Sequence, residues 1–190
     1  MAQAAPIEYQ GAALILGALG IAPTSVNVNL IVAQEINEWG WQGTLLQQSL
    51  NPLATTLYTP QAVRKWNSVG VWVYSSLAAG AQACAKTLQG YPTMLQALRT
   101  SNASLYFGST GRAELYKWSG GSATYANDLQ TYYGQLSAVP SAYLAAQQTA
   151  APQVATFVGQ SAPYAIAALI GGALTVGGVL LLEQSGKVRL

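Results

Sequence analysis

Residues 164–182 read YAIAALIGGALTVGGVLLL, 19 residues in a row without a charge. A helix rises about 1.5 Å per residue, so this run approaches the ~30 Å of a bilayer's hydrocarbon core. Gly171, Gly172, Gly177 and Gly178 would weaken a soluble helix but are common in membrane spans. Pro163 suits a first helical turn and Tyr164 suits a membrane interface. We therefore expect a transmembrane helix over residues 163–183, with a lipid membrane as partner. The small-residue pairs Ala167/Gly171 and Ala173/Gly177 would let a second helix approach closely, so self-association through this helix is expected as well. Lys187 and Arg189 make residues 184–190 a short basic tail and favour the cytoplasmic or interior side for that end. A buried core helix is the competing reading of the same run.

Charge is scarce elsewhere too. Asp, Glu, Lys and Arg make up 7% of the 190 residues, against roughly 25% in an ordinary soluble chain. None of the four occurs in the 54 residues between Asp128 and Glu183. Residues 138–162 are rich in Ala, Gln, Ser and Thr and are broken by Pro140 and Pro152, which reads as a partly helical spacer. Residues 1–137 are then the folded domain. The first ten residues lack the basic n-region of a secretory leader, so another route to any site outside a cytoplasm is expected. A net charge of +2, with basic residues scattered, leaves no electrostatic footprint for nucleic acid. Cys84 is alone, so no intrachain disulfide forms.

The domain reads as mainly α with a small β element. The 12 apolar residues 11–22 are too short to span a bilayer and suit a core helix. Thr24 and Ser25 offer an N-cap to an apolar-periodic stretch ending near Trp39. Residues 69–74 (VGVWVY) alternate β-branched and other residues as a short strand does. Ser75 or Ser76 caps a helix running to about Gly90, Pro92 opens another to about Arg99, and residues 123–136 form a last helix.

Exclusion narrows the chemistry. The chain has no histidine, which removes Ser-His-Asp and Cys-His catalysis and leaves zinc without its usual ligands. No phosphate-binding glycine loop is present, and no cofactor or metal is expected. Cys84 sits in an Ala-rich helix and reads as a small core residue. The acids before the apolar run are Glu8, Glu35, Glu38, Glu114 and Asp128. Acid/base work by one or two carboxyls fits glycoside cleavage, where a protonated carboxyl donates to the leaving oxygen. Glu38 is the best placed, at a helix end beside Trp39 and Trp41, because an apolar setting raises a carboxyl pKa. Lysozyme is the standard illustration of that effect. Glu35 lies one turn earlier, so both acids can share a face. The competing reading makes both plain surface residues.

The order of motifs is itself distinctive. LIVAQEINE (30–38) is followed by Asn51-Pro52-Leu53-Ala54-Thr55-Thr56, then by Asn67-Ser68-Val69-Gly70-Val71 with Tyr74 and Ser76. Thr87-Leu88, Tyr91-Pro92 and a segment from Trp118 to Tyr125-Ala126 come later. In this order residues 10–136 resemble a lysozyme-like, transglycosylase-like peptidoglycan-cleaving domain of actinobacteria and their phages. The resemblance implies a lysozyme-like fold with Glu38 as catalytic acid and Thr55, Thr56, Asn67, Tyr74 and Glu35 on the substrate side. It implies peptidoglycan as substrate and cleavage between N-acetylmuramic acid and N-acetylglucosamine, by a muramidase or a lytic transglycosylase. Departures stand out as well: Gln34 replaces an aromatic residue four before the Glu, Trp39 stands where small residues follow it, and the segment from Glu38 to Asn51 is longer.

The expected protein is a membrane-anchored glycan-strand-cleaving enzyme, associated with a virion and acting in local wall penetration. Its place is a virion's internal membrane or an actinobacterial cell envelope, with capsid or other virion proteins as neighbours. The alternative is a structural membrane protein of a virion whose lysozyme-like domain no longer cleaves.

Overall fold

The computed structural model describes residues 3–145. The expected membrane helix (163–183), the basic tail (184–190) and most of the expected spacer lie outside the described residues. Among the described residues no helix is long and apolar enough to cross a membrane.

The domain is mainly helical with one small sheet. In chain order it comprises α1 (Pro6–Ala18), α2 (Ser25–Trp39), α3 (Thr44–Ser49), β1 (Ala62–Lys65), β2 (Trp72–Tyr74), α4 (Leu77–Leu88) and α5 (Pro92–Arg99). It continues with α6 (Ala103–Tyr106), α7 (Ser109–Trp118), α8 (Tyr125–Gln135) and α9 (Ser141–Ala145).

The helix starts follow from local chemistry. At α2, the Thr24 hydroxyl accepts from the Asn27 N–H at 3.2 Å and Asn27 Oδ1 accepts from the Thr24 N–H at 2.7 Å. Two otherwise orphaned donors are satisfied reciprocally. Asn27 also donates to the carbonyls of Ala22 (2.9 Å) and Leu98 (3.2 Å), which pins the start of α2 to the end of α5. Ser76 caps α4 by accepting from the Ala79 N–H at 3.1 Å. Pro92 opens α5, and the Glu114 carboxylate on α7 takes the Thr93 and Met94 N–H groups at 3.0 and 2.8 Å. A negative group there also suits the positive end of the helix dipole.

Helix α2 is the spine. Its residues Val28, Leu30, Ile31, Val32, Ala33 and Ile36 are buried, and α1, α3, α5, α6 and α8 all pack on it. The polar residues Asn27, Gln34 and Glu35 are buried with them, because so many helices close over α2. Helices α1 and α4 pack on each other, and Gly80 of α4 lets the α3–β1 connection pass close by: a Cβ there would lie 1.8 Å from the Leu50 carbonyl oxygen.

The expected strand over 69–74 is shorter than its alternation suggests, and it has a partner that the sequence pattern did not reveal. Ala62 pairs with Tyr74, Arg64 with Val73 and Lys65 with Trp72, antiparallel, with one extra residue, Val63, in β1. Val69 and Gly70 belong to the connection instead, because Asn67 closes a turn there: its Oδ1 accepts from the Val71 N–H at 3.1 Å. The chain also keeps packing beyond Ser137. Val139 is buried in the core and Tyr143 of α9 stacks on Tyr9, ring centres 5.2 Å apart.

Gly80→Ala sets a methyl against a backbone carbonyl that has nowhere to go. Overpacking of this kind costs about 1–3 kcal/mol. We expect the variant's Tm, followed by circular dichroism, to fall by roughly 5 °C or more, whereas Gly134→Ala in α8, with open space around its Cβ position, should not lower it and should raise it slightly through helix propensity.

Candidate functional site

Glu38 lies in the last turn of α2 and is half-buried. Its Oε1 accepts from the Tyr125 hydroxyl at the start of α8 and from Trp118 Nε1 at the end of α7, the latter at 3.3 Å. Its Oε2 takes no hydrogen bond from the described residues. Tyr91 packs on Trp118 with ring centres 5.1 Å apart, so the carboxylate sits at the edge of an aromatic cluster. Removal from water raises the Glu38 pKa, and the bonds from Tyr125 and Trp118 pull it part of the way back. Burial, and then the adjacent Glu38 charge, hold the Tyr125 phenol well above its ordinary range, so it stays a donor. Trp118 and Tyr125 lie 80 and 87 positions from Glu38, beyond any local periodicity, and sequence reasoning did not assign them to the site.

Glu35 does not share this setting. The expectation that the two acids present one face is corrected by the surroundings of α2. Glu35 is fully buried and points at α1, where a Cβ on Gly11 would lie 2.6 Å from its Oε1. Among the described residues neither carboxylate oxygen of Glu35 has a hydrogen-bond partner. Glu8 of α1 is also fully buried; its Oε2 accepts from the Ala5 N–H at 2.7 Å while its Oε1 is unpaired. Burial drives both carboxyls upward, Glu8 to about 7 and Glu35 well above its ordinary value, with the Glu8 charge adding to the second. These two acids lie within the α1–α2 packing, away from Trp118 and Tyr125, with three of their four carboxylate oxygens lacking a hydrogen-bond partner among the described residues.

The other expected site residues are tied into a framework centred on Asn51. Its carboxamide donates to the carbonyls of Thr55 (2.9 Å) and Trp72 (2.8 Å) and accepts from the Thr55 N–H at 3.0 Å. The Cys84 thiol, buried in α4, donates to Asn51 Oδ1 at 3.4 Å and accepts from the Leu53 N–H at 3.3 Å. Trp39 Nε1 donates to the carbonyls of both Asn51 and Pro52, at 2.8 and 3.0 Å. Thr55 is buried with its hydroxyl 2.6 Å from that of Thr87, and the buried Tyr74 donates to the Leu57 carbonyl. Asn67 is exposed at the hairpin turn and Thr56 is exposed in the loop before it. Thr55 and Tyr74 are thereby joined through one loop, Asn67 and Thr56 stand at the surface, and none of the four bonds Glu38.

The lengthened segment after Glu38 turns at Gly40 and Gly43, both in the left-handed region at φ 80° and 62°. It leads into α3, leaving a shallow open depression of about 360 Å³ lined by Trp39, Gly40, Trp41, Gln42, Thr44 and Leu45. Glu38 does not line it. Gln34 accepts from the Tyr106 hydroxyl at 2.7 Å inside the core. Among the described residues no group of three His, Cys, Asp or Glu side chains could hold a metal ion. Comparison with protein-family models, curated proteins and solved structures finds no match to this chain.

The buried acid pair makes a prediction for stability. A carboxyl whose folded pKa lies above its unfolded one keeps its proton on folding. Its cost is absent below the ordinary 4.5 and grows as pH rises toward the folded value, about 7 for Glu8. The Tm of the chain in detergent should therefore fall between pH 4.5 and 7.5. Glu35→Gln, which cannot ionise, should flatten that decline and exceed the wild type by roughly 4 °C or more at pH 8. A wild-type Tm that rises over this range would mean that the pair is folded in its charged form.

Proposed function

We propose that this domain cleaves the glycan strands of peptidoglycan, with Glu38 as its one acid/base group. The observation that carries the reading is the setting of Glu38. It is half-buried at a helix end, raised in pKa by its surroundings and oriented by Tyr125 and Trp118 through one oxygen. A carboxyl shifted in this direction is better suited than an ordinary one to hold a proton and give it to the oxygen of the breaking glycosidic bond. The same group, once ionised, takes a proton from the attacking hydroxyl. That hydroxyl is either water or the sugar's own 6-hydroxyl, the latter closing an anhydro ring. A lytic mechanism of the second kind needs no second carboxylate, which agrees with Glu35 pointing into α1. The mainly helical fold with a two-stranded hairpin is compatible with the lysozyme-like architecture implied by the motif order. A lipid anchor over residues 163–183 and a place in a virion's internal membrane or an actinobacterial envelope complete the proposal.

A second reading rests on a different observation. The Thr55 and Tyr74 hydroxyls and the Asn67 carboxamide are all engaged within the domain. Glu38 itself joins α2 to α7 and α8. A structural virion membrane protein that keeps the fold without the cleavage would use these groups in the same way.

Digestion of purified peptidoglycan by the detergent-solubilised chain separates the two. Under the enzyme reading, mass spectrometry finds released muropeptides, and Glu38→Gln lowers their release by about 100-fold or more while circular dichroism is unchanged. An anhydro end identifies the lytic transglycosylase. Absence of release by the folded wild type leaves the structural reading standing. Tyr125→Phe removes a donor to the ionised form of Glu38. The alkaline limb of the pH–rate profile should therefore move upward and turnover should fall.

A further inference from the structure

The β1–β2 hairpin carries an unusual load of exposed apolar surface that the Glu38 site does not use. The large apolar side chains standing exposed among the described residues are Leu45, Tyr58, Val63, Val69 and Tyr116, and three of these belong to the hairpin or its lead-in. Tyr58 is 64% exposed, Val63 64% and Val69 76%. Local structure holds them out. Val63 is the extra residue of a bulge, opposite no residue of β2, and a bulge re-aims the side chain it carries. Val69 stands in the β1–β2 connection, whose turn is fixed by Asn67. Tyr58 leans edge-on against Trp72, ring centres 5.2 Å apart.

Positive charge accompanies this surface. Lys65 Nζ lies 5.8 Å over Trp72 and the Arg64 guanidinium 5.8 Å over Trp66, and both cations are exposed. No Asp or Glu occurs between Glu38 and Glu114, so nothing on the hairpin or near it in sequence offsets them. Of the five carboxylates among the described residues, Glu8, Glu35 and Glu114 are buried and Glu38 half-buried, which leaves Asp128 on α8 as the exposed one.

From this we infer that the hairpin docks on an anionic phospholipid surface. Val63 and Val69 enter the boundary between headgroups and acyl chains, Tyr58 and Trp72 sit at headgroup level, and Arg64 and Lys65 meet the phosphates. Each side-chain type matches the layer it would occupy. The exposed valines decide between a lipid and a hydrated anionic wall polymer: a polymer would meet the cations but offers aliphatic side chains no apolar phase. The inference is independent of whether Glu38 cleaves glycan.

The test uses the full chain reconstituted in vesicles, with Val69→Cys carrying an environment-sensitive fluorophore. Cys84 is buried with its thiol pKa pushed up, so the label goes to position 69. We expect a blue shift in phosphatidylcholine vesicles containing phosphatidylglycerol and none in phosphatidylcholine alone. Each cation near an anionic surface is worth about fivefold, so Arg64→Gln with Lys65→Gln should weaken docking by roughly 25-fold, with unchanged circular dichroism. Any of three results would overturn the inference: equal shifts in both vesicle types, no shift in either, or a shift produced by added peptidoglycan and not by anionic lipid. A docking strength that survives loss of both cations would overturn it as well.

Discussion

The rest of the domain depends on the burial of α2. A helix enclosed by five others leaves any ionisable group it carries only two ways to exist, with donors or with a proton. Glu38, at the helix end, reaches the first solution through Tyr125 and Trp118. Glu35, one turn inward, has no donor among the described residues, and burial raises its pKa well above the ordinary value. Two residues of the same type, three positions apart on one helix, thereby acquire different surroundings, though burial raises the pKa of both. The difference comes from which helices lie across from them and owes nothing to their own sequence neighbours.

A second level of organisation is polar. The connection from α3 to β1 has little regular structure of its own and is held by Asn51, Cys84 and Trp39 reaching its main chain. Leu50 and Ala54 adopt positive φ (52° and 49°) within it. Non-glycine residues in that region persist only when their surroundings over-determine them, as this network does. Gly80 has no side chain because this same segment crosses α4 there. The loop, together with the packing of β2 on α3 and α4, therefore sets how the hairpin is mounted on the helices.

Much of this was legible in the sequence where the signal is local. The Thr24 cap, the Ser76 cap and Pro92 each marked a helix start that the structure reproduces, because capping involves residues at most three apart. Helices α3 and α7 begin at Gly43 and Gly108 without a side-chain cap, and α6 is only four residues long despite its Asn102 cap. None of these, nor the short α9, was anticipated, and β1 (AVRK) has no alternation to betray it. Long-range relations were less accessible still. Helical spacing allowed Glu35 and Glu38 a common face, and only the arrival of α1 on one side and of α7 and α8 on the other divides them. The motif Asn51 to Thr56 was legible as a motif, but its physical work, binding loop to strand and to α4, appears only when distant carbonyls come into reach.

The Asn51 network has one more consequence, for how such a sequence can change over generations. Trp39 and Asn51 address mostly carbonyl oxygens and N–H groups, which every residue supplies whatever its side chain. The constraint on heredity is therefore one-sided. Trp72 can be exchanged without breaking the bond to its carbonyl, provided the main chain keeps its course, whereas the two donors and one acceptor of Asn51 are matched only by Gln, whose side chain is one methylene longer. A lineage built this way drifts in most of its letters while a few polar ones stay fixed, so kinship among its members would survive as sparse landmarks in a fixed order.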